Sequence, residues 1–138
     1  MKLSVLAVFS TAFGLLAMLL PLGPVTAAAD AIAFTAPQVA TGTKAYAQNC
    51  ASCHGANLKG VTAPALVGKT SGIAQQSLVE VFEYVSQQMP MTAPGSLSEA
   101  QYLSIVAYIL QKNGHKPGSR PLTESIATTS TATIVVKP

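Results

Sequence analysis

The chain has 138 residues, a formal net charge of +3, and only 9% charged residues. That length holds one domain, and so mild a charge, with no basic run and no aromatic platform, excludes nucleic acid as a partner. The sequence offers no Ser/His/Asp set, carboxylate pair or phosphate-binding loop, so an enzyme built on those chemistries is excluded too.

Met1-Lys2 gives a positive start, and Leu3 to Leu20 is almost wholly apolar. Pro21, Gly23 and Pro24 break the run, and Ala27-Ala28-Ala29 offers small residues to a signal peptidase. Residues 1–29 therefore read as a secretory signal, with Asp30 opening the mature chain. The rival reading is an uncleaved membrane anchor, since the run approaches the length of a spanning helix. A mature domain this small has a thin core, to which a bound cofactor would add apolar surface.

Asp30 to Thr35 reads as a flexible lead-in. Pro37 suits the first turn of a helix, and Val39, Gly42 and Tyr46 recur at helical spacing on the way to Cys50. A glycine at position 42 costs helix stability unless something must approach closely there.

Cys50-Ala51-Ser52-Cys53-His54 follows, the attachment signature of a c-type haem. On a helical turn, positions i, i+3 and i+4 share a face. Cys50 and Cys53 can then both reach the vinyl groups of one porphyrin and become thioethers, with His54 beneath the ring. Three other readings remain open. A zinc site needs four ligands, and the chain has two Cys and two His. A thioredoxin-like redox pair expects a βαβ setting, and no strand pattern precedes Cys50. A plain disulfide suits an oxidising compartment.

Gly55 to Gly68 lacks helical periodicity and reads as a wrapping loop. Ser77-Leu78-Val79-Glu80 is a capping box that opens a helix with the apolar stripe Leu78, Val81, Phe82 and Val85. Pro90 disfavours helical geometry at the residue before it, so this helix ends at Met89. Ser98-Glu99-Ala100-Gln101 is a second capping box, with Leu97 and Tyr102 placed as a hydrophobic staple. Its helix runs through Ile105, Tyr108 and Ile109 to Lys112, and Asn113-Gly114 stops it. His115 reads as exposed. The tail from 115 to 138 is polar and of low complexity around Thr128 to Thr133. Ile134-Val135-Val136 within it reads either as a short strand folded back on the domain or as a disordered end; the covering segment is favoured, because β-branched apolar residues suit a solvated tail poorly.

With its Cys50-x-x-Cys53-His54 motif, the sequence resembles the monohaem cytochrome c family. It is most similar to the small cytochromes and cytochrome domains that accompany quinone-cofactor alcohol dehydrogenases in bacteria. The resemblance covers about Gln38 to Gly114 and implies an all-α, cytochrome c-like fold of three to four helices wrapped around one covalently bound haem. It divides the chain into a signal peptide (1–29), a cytochrome domain (30–114) and a C-terminal tail (115–138). Gly42 and Tyr46 match the positions where the first and last helices cross, and Ile105 and Tyr108 match the final helix. Pro64 and Leu66 fit a Pro-x-Leu pattern in which the proline carbonyl holds the histidine and the leucine packs on the ring.

Met89-Pro90, followed by Pro94-Gly95, matches the family's arrangement around the second axial ligand, which makes Met89 the candidate beside His54. A thioether favours reduced iron and raises the potential. Met91 and His115 are its competitors. The implied function is that of a periplasmic one-electron carrier and not an enzyme, anchored to the membrane should the leading segment stay uncleaved. It would take electrons from a dehydrogenase, either as a separate protein or as its cytochrome subunit, and pass them to an oxidase or another cytochrome. The alternative is a haem enzyme or a gas or peroxide sensor with a displaceable distal ligand. Lys59 and Lys69 are placed either to rim the haem crevice and steer an acidic partner or simply to solubilise the surface.

Overall fold

The computed structural model describes residues 32–136; the expected signal segment, residues 1–29, lies outside them. Five helices follow in order: α1 (Ala36–Asn49), α2 (Ala51–His54), α3 (Leu78–Gln88), α4 (Glu99–Lys112) and α5 (Glu124–Thr129). Among the described residues there is no strand, only a lone antiparallel bridge between Ser77 and Thr133. The all-α expectation thus holds, with one short helix more than foreseen. No helix among these residues is long and apolar enough to cross a membrane.

The entry to α1 corrects the flexible lead-in. Thr35 caps the helix, its hydroxyl accepting from the Gln38 amide while Gln38 Oε1 accepts from the Thr35 amide. Before it, Phe34 is fully buried and Ile32 packs on the core. Burying a phenylalanine side chain is worth roughly 2–3 kcal/mol, enough to dock the segment. Gln38 also pairs with the tail, giving Nε2 to the Leu122 carbonyl at 2.7 Å and taking the Leu122 amide at 2.9 Å.

Helices α1 and α4 cross at Gly42, where a Cβ would lie 1.8 Å from the Ser104 carbonyl oxygen. The two backbones touch, so only glycine fits. One turn on, the Tyr46 and Tyr108 rings sit 5.2 Å apart and tilted, and Lys112 Nζ lies 5.4 Å from the Tyr108 ring centre. From Tyr102 to Leu110 every residue of α4 is buried, as for a helix surrounded by its own domain.

Both expected capping boxes form, Ser77 with Glu80 and Ser98 with Gln101. The tail completes the start of α3. The first amides of a helix lack partners within it; here Leu78 and Val79 donate to the carbonyls of Ala132 and Ser130 at 3.0 and 3.1 Å. Leu122, Ala127 and Ile134 join the core, while Val135 is turned outward. The sequence around 128 reads as polar and of low complexity, yet α5 forms because Thr123 caps it and Ala127 is fully buried. His115 is half-buried beside Val135 in a small recess, not exposed as expected, since the folded-back tail covers it.

Candidate haem site

Cys50 ends α1 and begins α2, and the amides of Cys53 and His54 both bond its carbonyl, at 3.2 and 3.0 Å. This single turn puts the two sulfurs and the imidazole on the wall of one cavity of about 630 Å³. Cofactor pockets fall within about 300–1,000 Å³. Gly55, at φ 81°, turns the chain out of the helix in a conformation that side chains disfavour.

The loop that follows is tied back onto the turn. The Cys53 carbonyl lies within 3.0–3.1 Å of three donors, the amides of Val61, Thr62 and Ala63, and the His54 carbonyl accepts from Gly60 at 2.8 Å. Tyr46 donates its phenol to the Gly55 carbonyl at 2.8 Å. These bonds bring Pro64 round to His54, whose Nδ1 lies 2.8 Å from the Pro64 carbonyl oxygen. A carbonyl only accepts, so Nδ1 carries the proton and Nε2 keeps its lone pair. An acceptor on one ring nitrogen in this way fixes the tautomer and orientation of a metal-binding histidine.

Burial pushes the Cys50 thiol up to about 11, with a smaller contribution from neighbouring Cys53. A thiol used for disulfide exchange is shifted the other way. Among the described residues no three His, Cys, Asp or Glu side chains are grouped to hold a metal ion.

Leu66, Met89 and Pro90 line the same cavity, together with Val81 and Val85 of α3 and Ile105 and Ile109 of α4. The structure therefore brings together all six residues singled out in the sequence: Cys50, Cys53, His54, Pro64, Leu66 and Met89. Met89 caps the C-terminus of α3 and is half-buried. Met91 borders the cavity as well but is 77% exposed. His115 does not line it.

Two supporting residues escape the sequence reading. Asn113, fully buried, donates Nδ2 to the Leu66 carbonyl at 2.8 Å and to Ile109 at 3.0 Å. Tyr102 donates its phenol to the Met89 carbonyl at 2.6 Å. Their positions, one at the helix stop and one in the staple, were the only signals in the sequence.

Residues 37–109 match the family model described as cytochrome C oxidase, cbb3-type, subunit III. The chain belongs to this cytochrome c family. No curated protein matches it. Among solved structures it is similar to the sulfane dehydrogenase SoxCD from Paracoccus pantotrophus, with 34% identity and a TM-score of 0.52. The likeness covers 55% of this chain and 43% of that one, so the matched part spans less than half of the SoxCD chain.

Membership of the family implies haem c, and the donor set fits that group. An imidazole with a fixed lone pair, a soft thioether and two thiols on one turn face a largely apolar cavity.

Proposed function

We propose that this chain is a periplasmic one-electron carrier holding a single haem c, attached through Cys50 and Cys53 and ligated by His54 Nε2 and Met89 Sδ. The observation that carries the reading is the 2.8 Å contact from His54 Nδ1 to the Pro64 carbonyl, made on the same turn as both thiols. When bound, the haem supplies an iron centre that accepts and returns one electron. Cys50 and Cys53 would hold the group as thioethers, each by net addition of its S–H across one vinyl group with no leaving group. Pro64 holds the imidazole, and Leu66, Val81 and Ile109 exclude water from the cavity. With both His54 and Met89 holding the iron, the site would offer no open position to a substrate, which favours electron transfer over catalysis.

Residues 1–29 are the proposed export signal and 30–114 the cytochrome domain, with 115–138 as its tail. The similarity to a sulfane dehydrogenase structure supports a dehydrogenase as electron donor, with an oxidase or another cytochrome as acceptor. A quinone-cofactor alcohol dehydrogenase is the donor that the sequence resemblance suggests.

The test is the protein made in a host that matures c-type haem. The expected mass is the polypeptide plus one haem, and the expected ferric spectrum is low-spin with a methionine–iron charge-transfer band. Met89→Ala should abolish that band and lower the potential by on the order of 0.1 V, within the roughly 0.8 V spanned by axial ligands. Met91→Ala should leave both unchanged. A bare polypeptide mass overturns the proposal. A high-spin ferric protein that takes up cyanide rapidly assigns it to haem enzymes or sensors instead.

A further inference from the structure

The geometry points to the Tyr102 phenol as the positioning residue that holds Met89 in place as an iron ligand, an inference that rests on the ligand assignment above. Met89 ends α3 in an extended conformation, and its amide still closes the helix on Val85 at 3.2 Å. The loop beyond it is open to solvent, Met91 to Ser96 all being exposed. The Met89 carbonyl accepts two hydrogen bonds, from Tyr102 Oη at 2.6 Å and from the Gly95 amide at 3.3 Å. The second belongs to the loop itself. The first is the one hydrogen bond, among the described residues, that fastens Met89 to α4, the helix buried at the centre of the domain.

The same hydroxyl accepts the Leu97 amide at 3.3 Å. Both ends of the loop thus meet on one oxygen, which donates to residue 89 and receives from residue 97. Tyr102 is 4% exposed, so water does not compete readily for the bond. A phenylalanine or leucine would serve the staple equally well; the hydroxyl answers to the loop. For Met89 Sδ to leave iron and admit another ligand, the loop must shift, and the phenol bond must break or follow it.

The experiment measures how fast imidazole displaces methionine in the ferric holoprotein, followed by loss of the charge-transfer band. Tyr102→Phe keeps the ring and removes the hydroxyl, and it should speed displacement about fivefold, the worth of one ordinary hydrogen bond. Gln38→Met removes the side chain's bonds to the Thr35 amide and to both the amide and the carbonyl of Leu122, all outside the cavity, and should leave the rate within twofold. A change below twofold in Tyr102→Phe, or equal acceleration in both variants, overturns the inference.

Should Tyr102→Phe not fold, the unmodified ferrous protein decides. A slowly exchanging hydroxyl proton on Tyr102 in its NMR spectrum supports the latch, and rapid averaging with water overturns it. Persistence of the charge-transfer band in Met89→Ala would overturn the ligand assignment itself. Loss of that band with no effect in Tyr102→Phe would overturn only the latch.

Discussion

Around His54 the hydrogen bonds join residues ten or fewer apart in the chain, from Tyr46–Gly55 to His54–Pro64. Met89 instead depends on a phenol thirteen residues further on, carried by another helix. The His54 side is built by local sequence and closes on itself, whereas the Met89 side takes its position from the packing of α4. Local closure costs little chain entropy, and a tertiary tether is only as firm as the helix that bears it. On the proposed ligand set, the two faces should therefore differ in stability, the methionine side opening before the histidine side.

The largest expected effect separates the two faces through α4. Gly42→Ala places a Cβ 1.8 Å from the Ser104 carbonyl oxygen, so the helices must part. The loss should be about 3 kcal/mol or more, from a total of roughly 5–15 kcal/mol for a domain. In denaturant titration the methionine–iron band should disappear before the spectral signature of the histidine-bound haem does. Coincident loss of both signals would show that the two sides yield together and remove the distinction.

Asn113→Ala acts on the one remote tether of the histidine side. It strips the Leu66 carbonyl of its side-chain donor, while the Ile109 carbonyl keeps the amide of residue 113. Leaving an acceptor away from water short of a partner costs about 1–3 kcal/mol. Stability should fall by that amount while the methionine–iron band keeps its intensity. Loss of the band would mean that α4 governs both faces alike.

This contrast also explains what could be read in the chain. The capping boxes at Ser77 and Ser98 are four-residue patterns, and both form as the sequence suggests. Thr35 and Gln38 form a third of the same kind, hidden because Phe34 in front of them looked like part of a loose lead-in. The six candidate site residues were found from one motif and its family resemblance, and they converge on one cavity. The Tyr102–Met89 and Asn113–Leu66 bonds were not legible. Each joins a side chain to a distant carbonyl, and a backbone carbonyl carries no residue type to recognise. The tail was half-read: its β-branched apolar residues implied cover. However, only the fold shows that the Ser130 and Ala132 carbonyls supply acceptors for the first amides of α3.

The smallest effect probes the helix that carries Met89. Glu80 Oε2 accepts from the Ser77 amide at 2.7 Å and from its hydroxyl at 2.6 Å. Those bonds favour the ionised carboxylate, so the Glu80 pKa lies below its ordinary value, the hydroxyl bond contributing most. A carboxylate depressed by folding adds stability that is present above its unfolded pKa, about 4.3 for glutamate, and is lost as the pH falls through its folded value. Glu80→Gln keeps an acceptor for the amide but not the charge. Its midpoint of unfolding should fall slightly below that of the parent near neutrality, and the two should converge in acid. A gap that persists unchanged through the acid range would mean that the start of α3 owes nothing to this charge. Local capping would then be uncharged on the methionine side, with the tail carbonyls and the Ser77 hydroxyl fixing where the helix begins.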